Sequence, residues 1–80
     1  MDYLAALNDA IRRAVLEHDD IAVVRQPGGA FAAASPAQWS SGRDVVVAVA
    51  YAHGRCVQYE RTLRLYGLSP VPQEEGAERG

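Results

Sequence analysis

The sequence predicts an α+β fold in which an N-terminal amphipathic helix packs on a small antiparallel sheet of three to four strands. Three observations favour this class. Apolar residues recur at helical spacing over residues 3–18, short β-branched segments begin at residue 21, and Gly- and Pro-containing turns separate these segments. We expect residues 1–68 to form a single domain and residues 69–80 to be a mobile acidic tail.

Composition narrows the classes to which the chain can belong. Its 80 residues are 49% hydrophobic and carry a formal net charge of −2, which suits one folded domain and excludes a polycation. The single cysteine excludes an intrachain disulfide. The sequence has neither a membrane-length apolar stretch nor a recognisable signal peptide, so a cytoplasmic location is expected. Abundant Ala, with Arg and no Lys, indicates a high-GC bacterium or phage as the source.

The first helix is predicted over residues 3–18. Asp2 precedes it as an N-cap that can accept from the first free amides. Asp19 and Asp20 would oppose the negative end of the helix dipole, so the helix is expected to end by residue 18. The stripe expected to face the sheet consists of Leu4, Leu7, Ile11, Ala14, Val15 and His18.

Two short strands are predicted next, over residues 21–25 and 30–34. Between them, Pro27 presets the second position of a type II turn, and Gly28 accepts the positive φ of the third position. Residues 35–42 follow as a serine-rich loop that contains Trp39.

A longer strand is predicted over residues 44–52, because its continuous apolar character is typical of strands buried on both faces. His53 and Gly54 are interpreted as a two-residue hairpin turn. A fourth strand is then favoured from residue 55 to residue 65, and a helix over its last turns, residues 63–66, would be compatible with it. The alternative is an α-β-β-β-α order with a second helix at residues 56–66, since helical spacing fits the same segment.

The two-residue turn has a consequence for the faces of the sheet. It would pair Ala50 with Val57 and Ala48 with Tyr59, and that face would accept the helix. The opposite face would need a cover, because large exposed apolar patches are rare on monomers. We therefore predict a protein-binding or homodimer face, with Trp39 as a second contact residue. The residues of this predicted face are Val45, Val47, Val49 and Tyr51.

Candidate chemistry is sparse. Residues 17–20 concentrate Glu, His and Asp, but neighbours along a chain diverge, so a solvated helix end is expected. His53 and Cys56 form a pair that lacks the two further donors that zinc needs. The sequence thus predicts no catalytic residue, no metal or cofactor site and no small-molecule substrate.

The leading functional hypothesis is a small non-enzymatic protein-interaction module, such as a phage or mobile-element accessory factor that blocks a host complex. One alternative is a virion or assembly component that self-associates through its sheet. Another is a single-stranded nucleic-acid-binding module, which the negative net charge disfavours. Its candidate residues are Arg55, Tyr59, Arg61, Arg64 and Tyr66.

Overall fold

The computed structural model of the chain describes residues 1–35, 38 and 45–71. These residues form one antiparallel sheet with strand order β2-β1-β3-β4, and both helices contribute buried residues to the same core cluster. The predicted class, an N-terminal helix on a small antiparallel sheet, is therefore confirmed. The elements are α1 (Tyr3–Glu17), β1 (Ile21–Arg25), β2 (Phe31–Ala34), β3 (Val45–Ala50), β4 (Cys56–Gln58) and α2 (Glu60–Leu65).

Both predicted ends of α1 are confirmed. At the N-cap, the Asp2 carboxylate accepts from the Ala5 amide at 2.8 Å. At the other end, His18 adopts the left-handed conformation, with φ 56°, and its backbone N–H reaches the Ala14 carbonyl. A residue in this conformation commonly ends a helix by satisfying its last carbonyls.

The buried stripe of α1 is rotated from the predicted one. Leu4 and Val15, which were expected to face the sheet, are 50% and 46% exposed. Three of the buried positions are alanines, whose small side chains allow the helix to pack closely on the sheet. The buried residues of α1 are Tyr3, Ala6, Leu7, Ala10 and Ala14.

The turn between β1 and β2 follows the prediction. Gln26 donates its amide to the Ala30 carbonyl at 2.9 Å, and Gly29 donates to the Gln26 carbonyl at 3.0 Å. Gly28 has φ 101°, the positive value that the third position of a type II turn requires.

The turn between β3 and β4 is one residue longer than predicted. Tyr51 donates to the Arg55 carbonyl and accepts from the Gly54 amide, both at 2.8 Å, so three residues form the loop. Gly54 supplies the positive φ of 95° at the last of them. The pairing shifts with the loop: Ala50 lies opposite Cys56, and the predicted pairing with Val57 is wrong by one residue.

After this turn the chain forms a short strand and then a short helix, so it contains part of each predicted alternative. β4 ends at Gln58, so the strand predicted to residue 65 is wrong in its extent, and the helix is only the six residues of α2. Leu63 is fully buried in the core between the helices and the sheet, which we call the helix-side core. A strand that continued from β4 would alternate and would place Leu63 on the other face of the sheet, with Val57. Glu60 and Arg64 form an ion pair one turn apart on α2, with 3.6 Å between nitrogen and oxygen.

A polar network joins α1, β4 and the segment after α2. The Gln58 Oε1 atom accepts from the Tyr3 hydroxyl at 2.5 Å and from the Val71 amide at 2.8 Å. The Gln58 Nε2 atom donates to the Val71 carbonyl at 2.6 Å. Val71, which the sequence assigns to the tail, thus packs against the helix-side core. The tail beyond it, residues 72–80, lies outside the described residues.

The hydroxyl of Tyr3 makes the free energy of unfolding depend on pH under alkaline conditions. Burial, with a smaller effect of nearby Cys56, raises the pKa of Tyr3 from 10.0 to about 12. Between these values the unfolded chain releases a proton that the folded chain keeps, so stability falls as the pH rises. We expect urea denaturation to give a smaller loss of unfolding free energy for Tyr3→Phe than for the wild type between about pH 9.5 and 11.5. Equal losses would contradict this assignment.

Candidate interaction surface

A β-bulge in β3 decides which side chains lie on each face of the sheet. Val23 of β1 lies opposite Ala48, and the next residue, Val24, lies opposite Val46. Val47 is therefore the extra residue of β3, and it belongs to the helix-side core with no exposed surface. Two adjacent side chains, Val47 and Ala48, enter the same core, which strict alternation forbids.

The bulge splits the predicted binding face. Val47 lies in the helix-side core. Val45 is the cross-strand partner of Arg25, and Arg25 is the partner of Phe31. Phe31 belongs to the helix-side core, so Val45 lies on the helix side as well. Val49 remains on the opposite side, and alternation carries Tyr51 to that side as well. The prediction that all four residues share one face is wrong, because an inserted residue reverses the alternation. A partner-binding role for Val49 and Tyr51 stays a prediction.

The sheet face away from the helices is wholly apolar along two rows of cross-strand neighbours. Ala22, Val24 and Ala34 on this face are buried, so it is not open across its full width. Exposure rises toward the β3–β4 side, where Val57 is 44% exposed. Including Val57, which pairs with Val49, the face consists of Ala22, Val24, Ala32, Ala34, Val46, Val49 and Val57.

We give the name hairpin patch to the accessible part of this face together with the two tyrosines that alternation adds to it, Tyr51 and Tyr59. It consists of Val46, Val49 and Tyr51 on the β3 side of the hairpin and Val57 and Tyr59 on the β4 side. Val57 and Tyr59 are 44% and 40% exposed, and the other three are half-buried. Val49 lies directly opposite Val57, and alternation along the chain from Val57 carries the side chain of Tyr59 to the same side. No member carries a formal charge, and a tyrosine lies toward each end.

The opposite edge of the sheet is occupied within the chain. The Phe31 amide of β2 donates to the Met1 carbonyl at 3.0 Å. The Ala33 carbonyl accepts from Arg13 Nη1 at 3.0 Å. An edge strand whose outward groups are already bonded is a poor template for a further strand. The hairpin side therefore carries the better candidate surface.

The other candidate residues do not assemble into a chemical site. The Asp20 carboxylate accepts from the Ala52 amide at 3.2 Å, and Glu17 pairs with Arg13 at 3.0 Å. The His53 ring stacks on Tyr51, with centroids 5.6 Å apart. Cys56 packs against the helix-side core. Among the described residues, no group of three or more His, Cys, Asp or Glu side chains could hold a metal ion. Trp39 lies outside the described residues.

The arginine and tyrosine residues of the nucleic-acid alternative are spread over three settings. The guanidinium of Arg25 lies over the ring of Tyr66, 4.3 Å from the ring centroid, so one face of that ring is occupied. Arg64 pairs with Glu60 on α2, and Tyr59 belongs to the hairpin patch. Residues 60–65 are helical, so Arg61 and Arg64 lie on α2 and not on a strand with Tyr59.

Sequence reasoning missed Val46 and Val57 as surface residues. The placement of Val57 could have been predicted from the sequence. A glycine at the third loop position is typical of a three-residue hairpin, and that loop places Val57 on the face away from the helices. For Val46 the cause is the bulge, and nothing in the run of valines marks which residue is inserted.

Comparison with known proteins identifies no relative: no protein-family model, curated protein or solved structure matches this chain. No helix in the described part of the chain is long and apolar enough to cross a membrane.

Two valine variants test the difference in burial between positions 45 and 47 of β3. Val47→Ala removes two methyl groups from a fully buried site, so we expect a loss of about 2 kcal/mol in unfolding free energy. Val45 is 39% exposed, so Val45→Ala should cost about 0.5 kcal/mol or less. Denaturant titration of both variants measures the difference, and equal losses would contradict the full burial of Val47.

Proposed function

We propose that this chain is a small protein-interaction module that acts by binding rather than by catalysis, and that the hairpin patch is its binding surface. The observation that carries the proposal is the position of Val57 and Tyr59, 44% and 40% exposed, beside three half-buried apolar residues on one face. Contiguous apolar patches on small proteins commonly mark interaction sites.

The chemistry of the patch supports a protein partner. Tyrosine is enriched at the centres of interfaces, where its ring buries a large area at little cost in side-chain entropy. Valine on a strand is stiff at χ1, so binding orders few rotatable bonds. Tyr51 is held further by its stack on His53. A surface with these properties is largely ordered before a partner arrives.

The composition of the patch disfavours the nucleic-acid alternative. Affinity for nucleic acid depends on Arg and Lys at phosphates, and none of the five patch residues is charged. Arg64 outside the patch pairs with Glu60. The setting predicted from composition, an accessory factor that blocks a host complex, stays a prediction.

Site-specific photo-crosslinking tests the binding surface. A benzophenone amino acid at position 57, in the hairpin patch, is compared with the same group at position 65 on α2. Leu65 is the control because it is apolar and 76% exposed, more than Val57 at 44%. We expect position 57 to give a discrete protein adduct in the native cells and position 65 to give little. Adducts of equal yield at both positions, or none at position 57, would overturn the proposal.

A further inference from the structure

We propose that residues 67–71 form a strap that docks on Gln58 and thereby keeps β4 in place. The two sequence neighbours of Gln58 are Val57 and Tyr59, which belong to the hairpin patch, so the docked strap controls how well that patch is ordered. The inference rests on the proposed function for its biological meaning, because it names what holds the proposed binding surface in position.

The contact between the strap and β4 is a clasp made by one side-chain amide. Gln58 Nε2 donates to the Val71 carbonyl at 2.6 Å, and Gln58 Oε1 accepts from the Val71 amide at 2.8 Å. One carboxamide thus bonds both backbone groups of one residue, as an opposed strand residue does in a hydrogen-bonded antiparallel pair. The sequence favours this contact, because Pro72 follows Val71 and the residue before a proline prefers extended backbone.

The hydroxyl of Tyr3 fixes the orientation of that carboxamide. It donates to Gln58 Oε1 at 2.5 Å, so the oxygen faces two donors and the nitrogen is directed to the Val71 carbonyl. A carboxamide turned the other way would bring its N–H groups against the Val71 amide and lose both bonds to the strap. Tyr3 is buried in the helix-side core, so α1 anchors the clasp.

The strap is packed as well as hydrogen-bonded. Leu68 and Val71 are half-buried and pack against the helix-side core. Gly67 turns the chain after α2 with φ 72°, and the Leu68 amide donates to the Leu63 carbonyl at 2.9 Å. Within the described residues, no backbone–backbone hydrogen bond joins residues 69–71 to the sheet. The clasp therefore supplies the polar attachment of the end of the strap.

β4 carries both the clasp and the most exposed part of the hairpin patch. Side chains alternate along a strand, so Gln58 faces the helices while Val57 and Tyr59, on either side of it, face the patch. β4 is an edge strand of three residues and has a strand neighbour on one side only. Such short segments open locally at low free energy. A clasp that ties Gln58 to α1 and to the strap opposes that opening and keeps the patch in the geometry that a partner meets.

Amide hydrogen exchange of the full chain, followed by nuclear magnetic resonance, tests this coupling. The Tyr59 amide donates to the Val47 carbonyl at 2.9 Å, so its protection reports on β4. The Phe31 amide donates to the Met1 carbonyl at 3.0 Å, so its protection reports on the opposite edge of the sheet. In the wild type the Val71 amide should be protected as well, because Gln58 holds it.

Two variants release the strap from its two sides. Gln58→Glu removes the donor to the Val71 carbonyl, and Val71→Pro removes the strap amide without altering β4. We expect either variant to lower the protection factor of the Tyr59 amide roughly tenfold and to leave that of Phe31 unchanged, because the bonds lost are local. Gln26→Glu makes the same chemical change at an exposed position between β1 and β2. This control should change neither amide.

The outcomes separate the strap from the proposed function. Unchanged Tyr59 protection in Val71→Pro would overturn the inference even if Gln58→Glu showed a loss, since that loss would come from β4 itself. An equal loss at Phe31 would overturn it too, because the strap would then support the whole domain, and so would an unprotected Val71 amide in the wild type. If position 57 crosslinks to no protein, the proposed function fails, and exchange still decides whether the strap holds β4.

Discussion

The inserted residue Val47 is the constraint on which the arrangement of the sheet depends. It allows two consecutive side chains of β3 to enter the helix-side core, where Val47 and Ala48 are both fully buried. The alternation resumes after the bulge in the opposite phase, so Val46 and Val49 share the second face. Without that reversal Val46 and Val49 would lie on opposite faces, and the hairpin patch would lose its present composition.

Much of the fold could be predicted from sequence because its determinants are local. Asp2 as the N-cap, β1 at Ile21–Arg25 and the type II turn at Gly28 each follow from residue types within a few positions. The rotated stripe of α1 could not be predicted in the same way. Which side of a helix is buried depends on how closely its backbone approaches the sheet, and the alanines allow that approach only where a matching face exists.

The residues of the hairpin patch were harder to predict, because they depend on two separate shifts of strand register. A three-residue loop shifts β4 by one position, and a bulge shifts part of β3 by one position. A slip of one residue moves a side chain to the other face, so Val57 joined the patch and Val47 left it. Val49 and Tyr51 lie on their predicted side, whereas Val45 and Val47 do not.

Cross-strand nuclear Overhauser effects between β1 and β3 test the bulge most directly, because they report register residue by residue without a mutation. The structure predicts contacts that pair Val23 with Ala48 and Val24 with Val46, with Val47 lacking a directly opposed partner. A continuous register in which Val24 pairs with Val47 would contradict it. That result would return the valines to strict alternation and remove the structural basis of the hairpin patch.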